Sequence, residues 1–383
     1  MVISPGIPVD APFTDVVRNA GIPIWSEIEL AYHYGKGKIA AITGTNGKTT
    51  TTALVGEIVK AHNAKTIVVG NIGIPYTELC DTTDDDSDTV AEISSFQLET
   101  VIDFHPNVSA ILNLTPDHLN RHYTFENYGN VKFSITKNQT MDDVTVLNYD
   151  DEHTRAMGEK AKDHCHVVYF SRLEKPAGGV YVEDGDIILE DGDKKINVLA
   201  IKDLKLMGAH NVENVLAAVG ISYYMGVPVD VIRDVATSFK AVAHRIEYVD
   251  TIDGVAYYND SKGTNPDAAI KGIQAMVAPT FLIGGGYDKG SEYDEWIEAF
   301  DGKVKWLVLI GQTAQKIADC AKRHGFNSII FEENLQDAVA YCHENAVDGD
   351  AVLLSPACAS WGQFDNYEQR GDMFKEYVRS YKE

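Results

Sequence analysis

The stretch Lys38-Ile-Ala-Ala-Ile-Thr-Gly-Thr-Asn-Gly-Lys-Thr-Thr-Thr-Thr52 decides the fold of this chain. An apolar run breaks at a glycine turn, and a lysine, four threonines and a helical pattern over residues 53–59 follow. This order predicts a strand, a phosphate-binding loop and a helix. Free backbone N–H groups at the helix start form an anion site, Lys48 can reach terminal phosphates, and the Thr49 hydroxyl suits Mg²⁺. The stretch therefore predicts nucleotide binding.

This loop departs from the usual phosphate-loop spacing. That spacing has a glycine five residues before Gly47, and Ile42 stands there in this chain. Only the shorter pattern Gly44-Thr-Asn-Gly-Lys-Thr49 is present. A glycine-rich structural turn is therefore the alternative interpretation.

The composition restricts the number of domains and the class of partner. A chain of 383 residues is too long for one typical core, so we expect two domains and a fragment of a third. Its 57 acidic and 33 basic residues give a net charge of −24, which excludes a general attraction to nucleic acid or to anionic membranes. A bound phosphate therefore needs a local site and a metal ion. Because no apolar run approaches the roughly 20 residues of a membrane span, we expect a cytoplasmic protein.

The first 241 residues suggest a short tail followed by an α/β domain. Residues 1–37 are too few for an independent core, and we interpret them as the tail of another domain. In residues 38–241, β-like runs alternate with helical patterns, which predicts a mostly parallel sheet with helices on both faces. The predicted strands are 38–43, 66–69, 89–92, 109–114 and 144–148. A hairpin around Asp184-Gly185 and a helix over 209–219 complete this domain.

A second alternating series occupies residues 242–383, after a predicted hinge at residues 239–243. Its predicted strands are 255–259, 280–283, 306–310, 328–331 and 351–354. The fold class is therefore α/β: a central P-loop ATPase-type domain with a mostly parallel sheet, followed by a doubly wound, Rossmann-like domain.

Chemically useful side chains follow several predicted strands of the first domain, where parallel sheets bind ligands. Glu92 ends one strand, and a carboxylate opposite a phosphate loop suits Mg²⁺; a structurally idle glutamate is the alternative. His118 follows the next strand, and its spacing from His122 could form a zinc pair, with a surface histidine as the simpler interpretation. No Glu follows His118 as a hydrolase base would, so zinc is disfavoured. Lys132 has apolar neighbours in a helical stretch, where a lysine normally extends to solvent.

The second domain carries three segments rich in charged and small residues, at its start and at two strand ends. They are 244–247, 259–265 and 284–290. Each alone is a weak signal, because glycine-rich turns after strands are common. Together with the strand ends of the first domain, they predict a ligand cleft between two α/β domains.

In these segments the sequence resembles the Mur ligases, the ATP-dependent amide-bond-forming enzymes of peptidoglycan synthesis. The matching segments span almost the whole chain in order, and the C-terminal Ser-Pro-Ala-Cys-Ala-Ser run is most similar to the members that add D-glutamate. The shorter glycine loop is the form this family uses. The matching segments are Ser4-Pro-Gly-Ile7, Gly44–Thr50, Gly70-Asn-Ile-Gly73, Glu92–Glu99, Asn113-Leu-Thr-Pro-Asp-His118, Gly208–Asn214, His244-Arg-Ile-Glu247, Asn259–Asn265, Leu354–Phe364 and Tyr367-Glu-Gln-Arg-Gly371.

The resemblance implies a reaction and a set of residue roles. ATP phosphorylates the carboxylate of UDP-N-acetylmuramoyl-L-alanine, and the amine of D-glutamate attacks the acyl phosphate. Lys132 is implied to be carbamylated, since a cationic lysine cannot bind the second Mg²⁺. The implied catalytic residues are Lys48, Glu92, His118 and Lys132, and the implied metal ligands for two Mg²⁺ ions are Thr49, Glu92, His118 and Lys132. The implied ATP contacts are Gly44, Thr45, Asn46, Gly47, Lys48, Thr49, Thr50, Asn71, Asn214, Arg245 and Asp260. The implied substrate contacts are Ser4, Pro5, Gly6, Ser94, Lys262, Thr264, Lys289, Ser360 and Phe364, and closure of the two domains would assemble the site.

Two departures from the family pattern leave alternatives open. Gly362 stands where an acidic or amide residue is expected before Gln-Phe, which bears on the D-glutamate contacts. Residues 1–37 are expected to be the remnant of the family's UDP-binding domain, so either the natural chain is longer or it has lost most affinity for the UDP substrate. The alternatives are a related Mur or folylpolyglutamate-type ligase, or an ATP-binding remnant without ligase activity. We expect a monomer that binds neither nucleic acid nor membrane.

Overall fold

The computed structural model describes residues 1–71, 74–206, 208–240 and 243–382. The chain divides into two compact units, Met1–Lys240 and Ala241–Glu383. Residues 241 and 242 of the predicted hinge lie outside the described residues, as do residues 72 and 73 of the quoted Gly70–Gly73 segment. Within these ranges, no helix has both the length and the apolar composition needed to span a membrane.

The first unit is built on a nine-stranded sheet. Its strands are β1 Lys38–Thr43, β2 Ile67–Gly70, β3 Asp88–Glu92, β4 Val108–Ile111, β5 Val144–Asn148, β6 His166–Ser171, β7 Gly179–Glu183, β8 Asp186–Asp191 and β9 Lys194–Ala200. Its α-helices are α1 Pro12–Asn19, α2 Glu27–Tyr34, α3 Lys48–His62, α4 Tyr76–Leu79, α5 Ser95–Leu98, α6 Leu119–His122, α7 Phe125–Phe133, α8 Glu152–Ala161, α9 Ala209–Tyr224 and α10 Val229–Ser238.

The strand order of this sheet is β2-β3-β1-β4-β5-β6-β7-β8-β9, parallel from β2 to β7 and antiparallel from β7 to β9. Five of the six residues of β1 are buried, because a central parallel strand is covered on both faces. The predicted hairpin at Asp184-Gly185 is confirmed, with Glu183 pairing to Asp186. Sequence reasoning missed β6 and β9; in β9 the first four residues are polar or only half-buried, so the apolar signal is weak.

The N-terminal segment packs onto this sheet domain through two glutamates of α2. The buried Glu29 carboxylate accepts hydrogen bonds from the N–H groups of residues 102, 103 and 104 at 2.7–3.1 Å. Glu27 accepts from the backbone N–H and the hydroxyl of Thr77 at 2.6 and 3.0 Å. Buried carboxylates need such partners, and residues 1–37 are therefore part of the first compact unit.

The second unit is built on a six-stranded sheet with strands β10 Glu247–Ile252, β11 Val255–Asn259, β12 Thr280–Gly284, β13 Val304–Leu309, β14 Ile329–Phe331 and β15 Ala351–Leu354. Its α-helices are α11 Pro266–Ala275, α12 Asp294–Glu298, α13 Ala314–Arg323, α14 Leu335–Asn345 and α15 Tyr367–Arg379. The order is β10-β11-β15-β12-β13-β14, and only β10, which sequence reasoning missed, runs antiparallel to its neighbour.

Neighbouring residues of these strands belong to different hydrophobic clusters. Leu282 and Leu353 lie in one cluster, whereas Phe281 and Val352 lie in another. Side chains alternate between the faces of a strand, so both faces of the sheet are covered. The predicted fold class, two α/β units with mostly parallel sheets, is confirmed.

Candidate functional site

The phosphate-binding loop connects β1 to α3 and depends on two glycines with positive φ. Gly44 has φ 148°, and Gly47, the N-cap of α3, has φ 82°. A Cβ atom on Gly47 would lie 2.2 Å from Oδ1 of Asn214, far inside contact distance. The loop thus requires glycine here for its backbone conformation and for the close approach of Asn214.

Residues that follow β4 hold the loop in place. Asn46 donates its backbone N–H to the Asn113 side chain at 2.8 Å, and Asn113 donates back to the Asn46 carbonyl at 3.1 Å. The Thr45 hydroxyl bonds with both the N–H and the carbonyl of Thr115 at 3.0 and 3.1 Å. Asn113 is not among the predicted site residues; the available signal was a polar residue near the end of a predicted apolar strand.

Two lysines donate to one carbonyl oxygen of this loop. Lys48 and Lys132 each place Nζ 2.8 Å from the Gly44 oxygen. Lys132 is only 1% exposed, so the expectation that it extends to solvent is wrong. Burial lowers the pKa of the Lys132 amine well below its usual value, and the charge of Lys48 lowers it further. The surroundings of Lys132 therefore favour the uncharged amine more than water does.

Glu92 ends β3 beside the strand that leads into the loop, and it pairs in register with Ile42 of β1. The carboxylate is buried, and Oε1 accepts a hydrogen bond from Asn71 Nδ2 at 2.8 Å. The other oxygen, Oε2, is buried without a hydrogen-bond partner in the described part of the chain. A buried oxygen left unpaired costs free energy unless a ligand satisfies it. The oxygen donors of Glu92 and of Thr49, a buried residue in the first turn of α3, fit Mg²⁺, which prefers oxygen ligands.

His118 and His122 differ in their burial. The His118 ring is 43% exposed and lies 4.9 Å from the Phe96 ring and 3.6 Å from the Asp117 carboxylate. His122 is buried, with Nε2 3.0 Å from the Ser95 hydroxyl. Its ring centre lies 5.7 Å from that of Phe96, so both imidazoles pack against the same aromatic ring. The interpretation that disfavours zinc stays a prediction.

The remaining predicted residues of the first unit are Asn214, Ser94, Ser4, Pro5, Gly6 and Thr50. The Asn214 side chain accepts from the Thr51 hydroxyl at 3.3 Å and donates to Asn211 at 3.1 Å. Ser94 is the N-cap of α5 and forms a capping box with Gln97, which is a structural role that sequence reasoning did not assign. Ser4, Pro5 and Gly6 lie in an N-terminal turn, in which Ile7 N–H donates to the Ser4 carbonyl at 2.9 Å. Thr50 is half-buried near the start of α3.

In the second unit, Asp260 follows β11 and is buried. Its carboxyl accepts hydrogen bonds from the Ser355 hydroxyl at 2.7 Å and from the Ile246 N–H at 3.3 Å. Burial raises the pKa of Asp260 to about 7, while Ser355 and the charge of Arg245 act in the opposite direction. Arg245 itself is exposed. The structure thus places these two predicted ATP contacts within reach of each other's charge.

The predicted amino-acid contacts of the second unit fall into two groups. Lys289 Nζ lies 4.8 Å from the centre of the Trp361 ring. Trp361 belongs to the same segment as Ser360 and Phe364. Ser360 is buried, and its carbonyl accepts from the Phe364 N–H at 3.1 Å. Lys262 lies over another ring, 5.8 Å from the centre of Tyr367, and its carbonyl accepts from the Thr264 N–H at 2.8 Å.

Two features near these residues add to the sequence interpretation. Gly362 has φ 89°, so the local backbone favours glycine at the position where the resemblance leads us to expect an acidic or amide residue. Arg370, to which sequence reasoning gave no role, is buried and donates to the Ser261 hydroxyl at 2.9 Å, to the Ser261 carbonyl at 2.8 Å and to the Cys358 carbonyl at 3.2 Å. Burial lowers the pKa of its guanidinium to about 10. Arg370 therefore joins the segment after β11 to the segment after β15.

The chain is similar to known proteins over both of its compact units. Two family models match: the Mur ligase middle domain over residues 42–222, and the Mur ligase glutamate ligase domain over residues 244–358. The UDP-N-acetylmuramoylalanine--D-glutamate ligase of Lachnospira eligens is 58% identical over 99% of this chain and 84% of its own length. The enzyme of the same name from Clostridioides difficile is 49% identical over 100% of this chain and 84% of its own length.

Solved structures share the fold at low sequence identity. The MurF ligase of Thermotoga maritima in complex with ADP is 17% identical, has a TM-score of 0.61, and is matched over 99% of this chain and 95% of its own. A pseudomurein peptide ligase type C from Methanothermus fervidus is 18% identical, has a TM-score of 0.63, and is matched over 99% of this chain and 86% of its own.

Proposed function

Because the chain belongs to the Mur ligase family, we propose that it is an ATP-dependent ligase that adds D-glutamate to UDP-N-acetylmuramoyl-L-alanine in peptidoglycan synthesis. The observation that carries this proposal is the 58% identity, over 99% of the chain, to a ligase of that name. In the reaction, the alanine carboxylate takes the γ-phosphoryl group of ATP. The amine of D-glutamate then attacks the acyl phosphate, and phosphate leaves from a tetrahedral intermediate.

The residues around the phosphate loop would bind and orient ATP. Phosphoryl transfer depends mostly on positioning and on neutralising charge. The N–H groups of Gly44–Thr50 and the ammonium group of Lys48 would hold the phosphates, and Asn113 keeps the loop in shape through its two bonds to Asn46. Thr49 and Glu92 would hold Mg²⁺, which supplies positive charge to the phosphates when bound. The unpartnered Oε2 of Glu92 supports this assignment.

Lys132 would carry a carbamate and, with His118, would hold a second Mg²⁺. The neutral amine attacks CO₂, a C–N bond forms, and one proton is released to solvent. The reaction needs an unprotonated amine, and burial favours that form of Lys132. The carbamate oxygens would then supply the negative charge that a lysine lacks.

Other residues would bind the rest of the substrates. Asn71, Asn214, Arg245 and Asp260 would contact ATP. Lys262, Thr264, Lys289, Ser360 and Phe364 would hold D-glutamate or the intermediate, and Ser4, Pro5, Gly6 and Ser94 would lie on the side of the UDP substrate. Residues 38–241 would form the ATP-binding domain and 242–383 the amino-acid-binding domain, and residues 1–37 would lie on the side of the UDP substrate. We propose a cytoplasmic monomer, and the net charge of −24 supports a protein without nucleic-acid or membrane partners.

A substrate-selection assay tests this function. The purified chain, ATP, Mg²⁺ and UDP-N-acetylmuramoyl-L-alanine are incubated with D-glutamate, L-glutamate, L-lysine or diaminopimelate, and both phosphate release and amide product are measured. We expect product with D-glutamate alone. Preference for another amino acid would instead indicate a related Mur or folylpolyglutamate-type ligase, and ATP binding without product would indicate an inactive remnant. Lys48→Ala should abolish turnover, whereas Lys60→Ala, at the exposed end of the same helix, should not.

A further inference from the structure

The turn that carries His118 has a strained backbone. Helix α6 is a single turn, and the residues at its two ends, His118 and Tyr123, have φ of 51° and 66°. Non-glycine residues in such conformations are strained and persist only where the surroundings hold them. A four-residue helix is not stable by itself. Contacts from outside the turn must therefore fix the backbone at His118.

Arg121, in the middle of this turn, makes the contacts that can do so. Its Nε lies 3.0 Å from Glu99 Oε1, and one terminal nitrogen lies 2.5 Å from Glu99 Oε2. Both side chains are mostly buried, at 12% and 7% exposure. The guanidinium also lies 5.0 Å from the centre of the Phe96 ring, which is the ring that touches His118. A buried two-pronged pair of this kind is far more fixed in geometry than an exposed ion pair.

The same arginine reaches the N-terminal turn. A terminal nitrogen of Arg121 donates to the Ile7 carbonyl at 2.7 Å. A second tie comes from the end of α6, where the Tyr123 hydroxyl donates to the Asp10 carboxylate. The Arg121 guanidinium is thus hydrogen-bonded to the N-terminal turn, which is proposed to lie beside the UDP substrate. It also packs against the Phe96 ring, which in turn contacts the proposed metal ligand His118.

We propose that Arg121 is a positioning residue that, with Glu99, holds His118 in its strained conformation and docks the Ser4–Ile7 turn beside it. The Ser4–Ile7 turn, on the side of the UDP substrate, and the proposed metal ligand His118 would then keep a fixed position relative to each other. This inference rests on the proposed function. It assigns Arg121 no contact with ATP, so it predicts an effect on the UDP substrate and on Mg²⁺ but not on the nucleotide.

Two substitutions of Arg121 test the proposal in steady-state ligase assays. Arg121→Met keeps the apolar stem and removes every donor, whereas Arg121→Lys keeps the charge but cannot bond both glutamate oxygens and the Ile7 carbonyl together. We expect Arg121→Met to raise the KM for UDP-N-acetylmuramoyl-L-alanine and the free Mg²⁺ needed for half-maximal rate by about tenfold or more. The KM for ATP should stay within about twofold, and Arg121→Lys should be intermediate.

Arg233→Met is the matched control. Arg233 belongs to the same unit and also donates to backbone carbonyls, those of residues 197 and 198, at the edge strand β9. Arg233→Met should leave the KM for UDP-N-acetylmuramoyl-L-alanine, the KM for ATP and the free Mg²⁺ needed for half-maximal rate unchanged. If Arg121→Met does not fold, Glu99→Gln, which keeps the shape and removes the charge, should give the same pattern to a smaller extent. The inference would be overturned if Arg121→Met left both KM values and the Mg²⁺ requirement unchanged. It would also be overturned if all three rose equally and the melting temperature of the variant fell. An inactive wild-type chain would instead refute the proposed function.

Discussion

Replacing Asp260 by asparagine should stabilise the second unit much more at pH 8 than at pH 5. The side chain is 4% exposed, and burial raises the pKa of its carboxyl from 3.8 to about 7. Asparagine has nearly the same shape. Its oxygen can still accept from the Ile246 N–H, and its amide can donate to the Ser355 hydroxyl, which now donates to Asp260 at 2.7 Å.

The magnitude follows from proton linkage. Because folding raises the pKa of Asp260, the folded chain binds this proton more tightly than the unfolded chain does. Ionisation therefore costs stability progressively as pH rises from about 4 to about 7, and the cost is constant above that. A shift from 3.8 to about 7 corresponds to a full cost of about 4 kcal/mol, of which about 2 kcal/mol is already present at pH 5. Asp260→Asn should thus raise the free energy of unfolding by about 2–3 kcal/mol more at pH 8 than at pH 5.

Urea unfolding followed by tryptophan fluorescence measures this difference. Three of the four tryptophans belong to the second unit, namely Trp296, Trp306 and Trp361. The control is Asp350→Asn, which removes another buried carboxylate, one that accepts from Lys305 Nζ at 2.7 Å. That variant should lose stability at both pH values, because it breaks an ion pair. A gain for Asp260→Asn that is the same at pH 5 and pH 8 would refute the reasoning.

Two further substitutions test the phosphate loop and its neighbour. Lys132→Ala should lower kcat by roughly a hundredfold or more, and excess bicarbonate or short carboxylates should restore part of it, because they replace the missing anion; unchanged activity would remove the carbamate from the mechanism. Gly47→Ala should weaken ATP binding by about tenfold or more in calorimetry, since its Cβ would lie 2.2 Å from Asn214 Oδ1. Gly226→Ala, which also has positive φ but open space around the new Cβ, should bind ATP normally, and equal effects of the two changes would contradict the steric explanation.

Much of the fold follows from local sequence patterns. Strands Lys38–Thr43 and Val144–Asn148 have the predicted bounds, because buried parallel strands are continuous apolar runs. The antiparallel strands at the sheet edges, such as Lys194–Ala200, were missed because one face is exposed and the apolar signal is diluted. The predicted site residues remain predictions in their chemical roles, although the structure brings Glu92, Lys132 and Asn214 to the loop at Gly44–Thr50.

By itself, the sequence determined the α/β class, the phosphate loop and the side chains that follow the strands, since these depend on residues close together in the chain. The tertiary structure alone decided the state of those side chains. Lys132 is buried and donates to the Gly44 carbonyl, 88 residues away in the chain. The Asn113 side chain accepts from the Asn46 N–H, 67 residues away, and the Asp260 carboxyl accepts from the Ser355 hydroxyl, 95 residues away. Burial, an unpartnered oxygen and a shifted pKa arise where distant segments meet, and no local pattern encodes them.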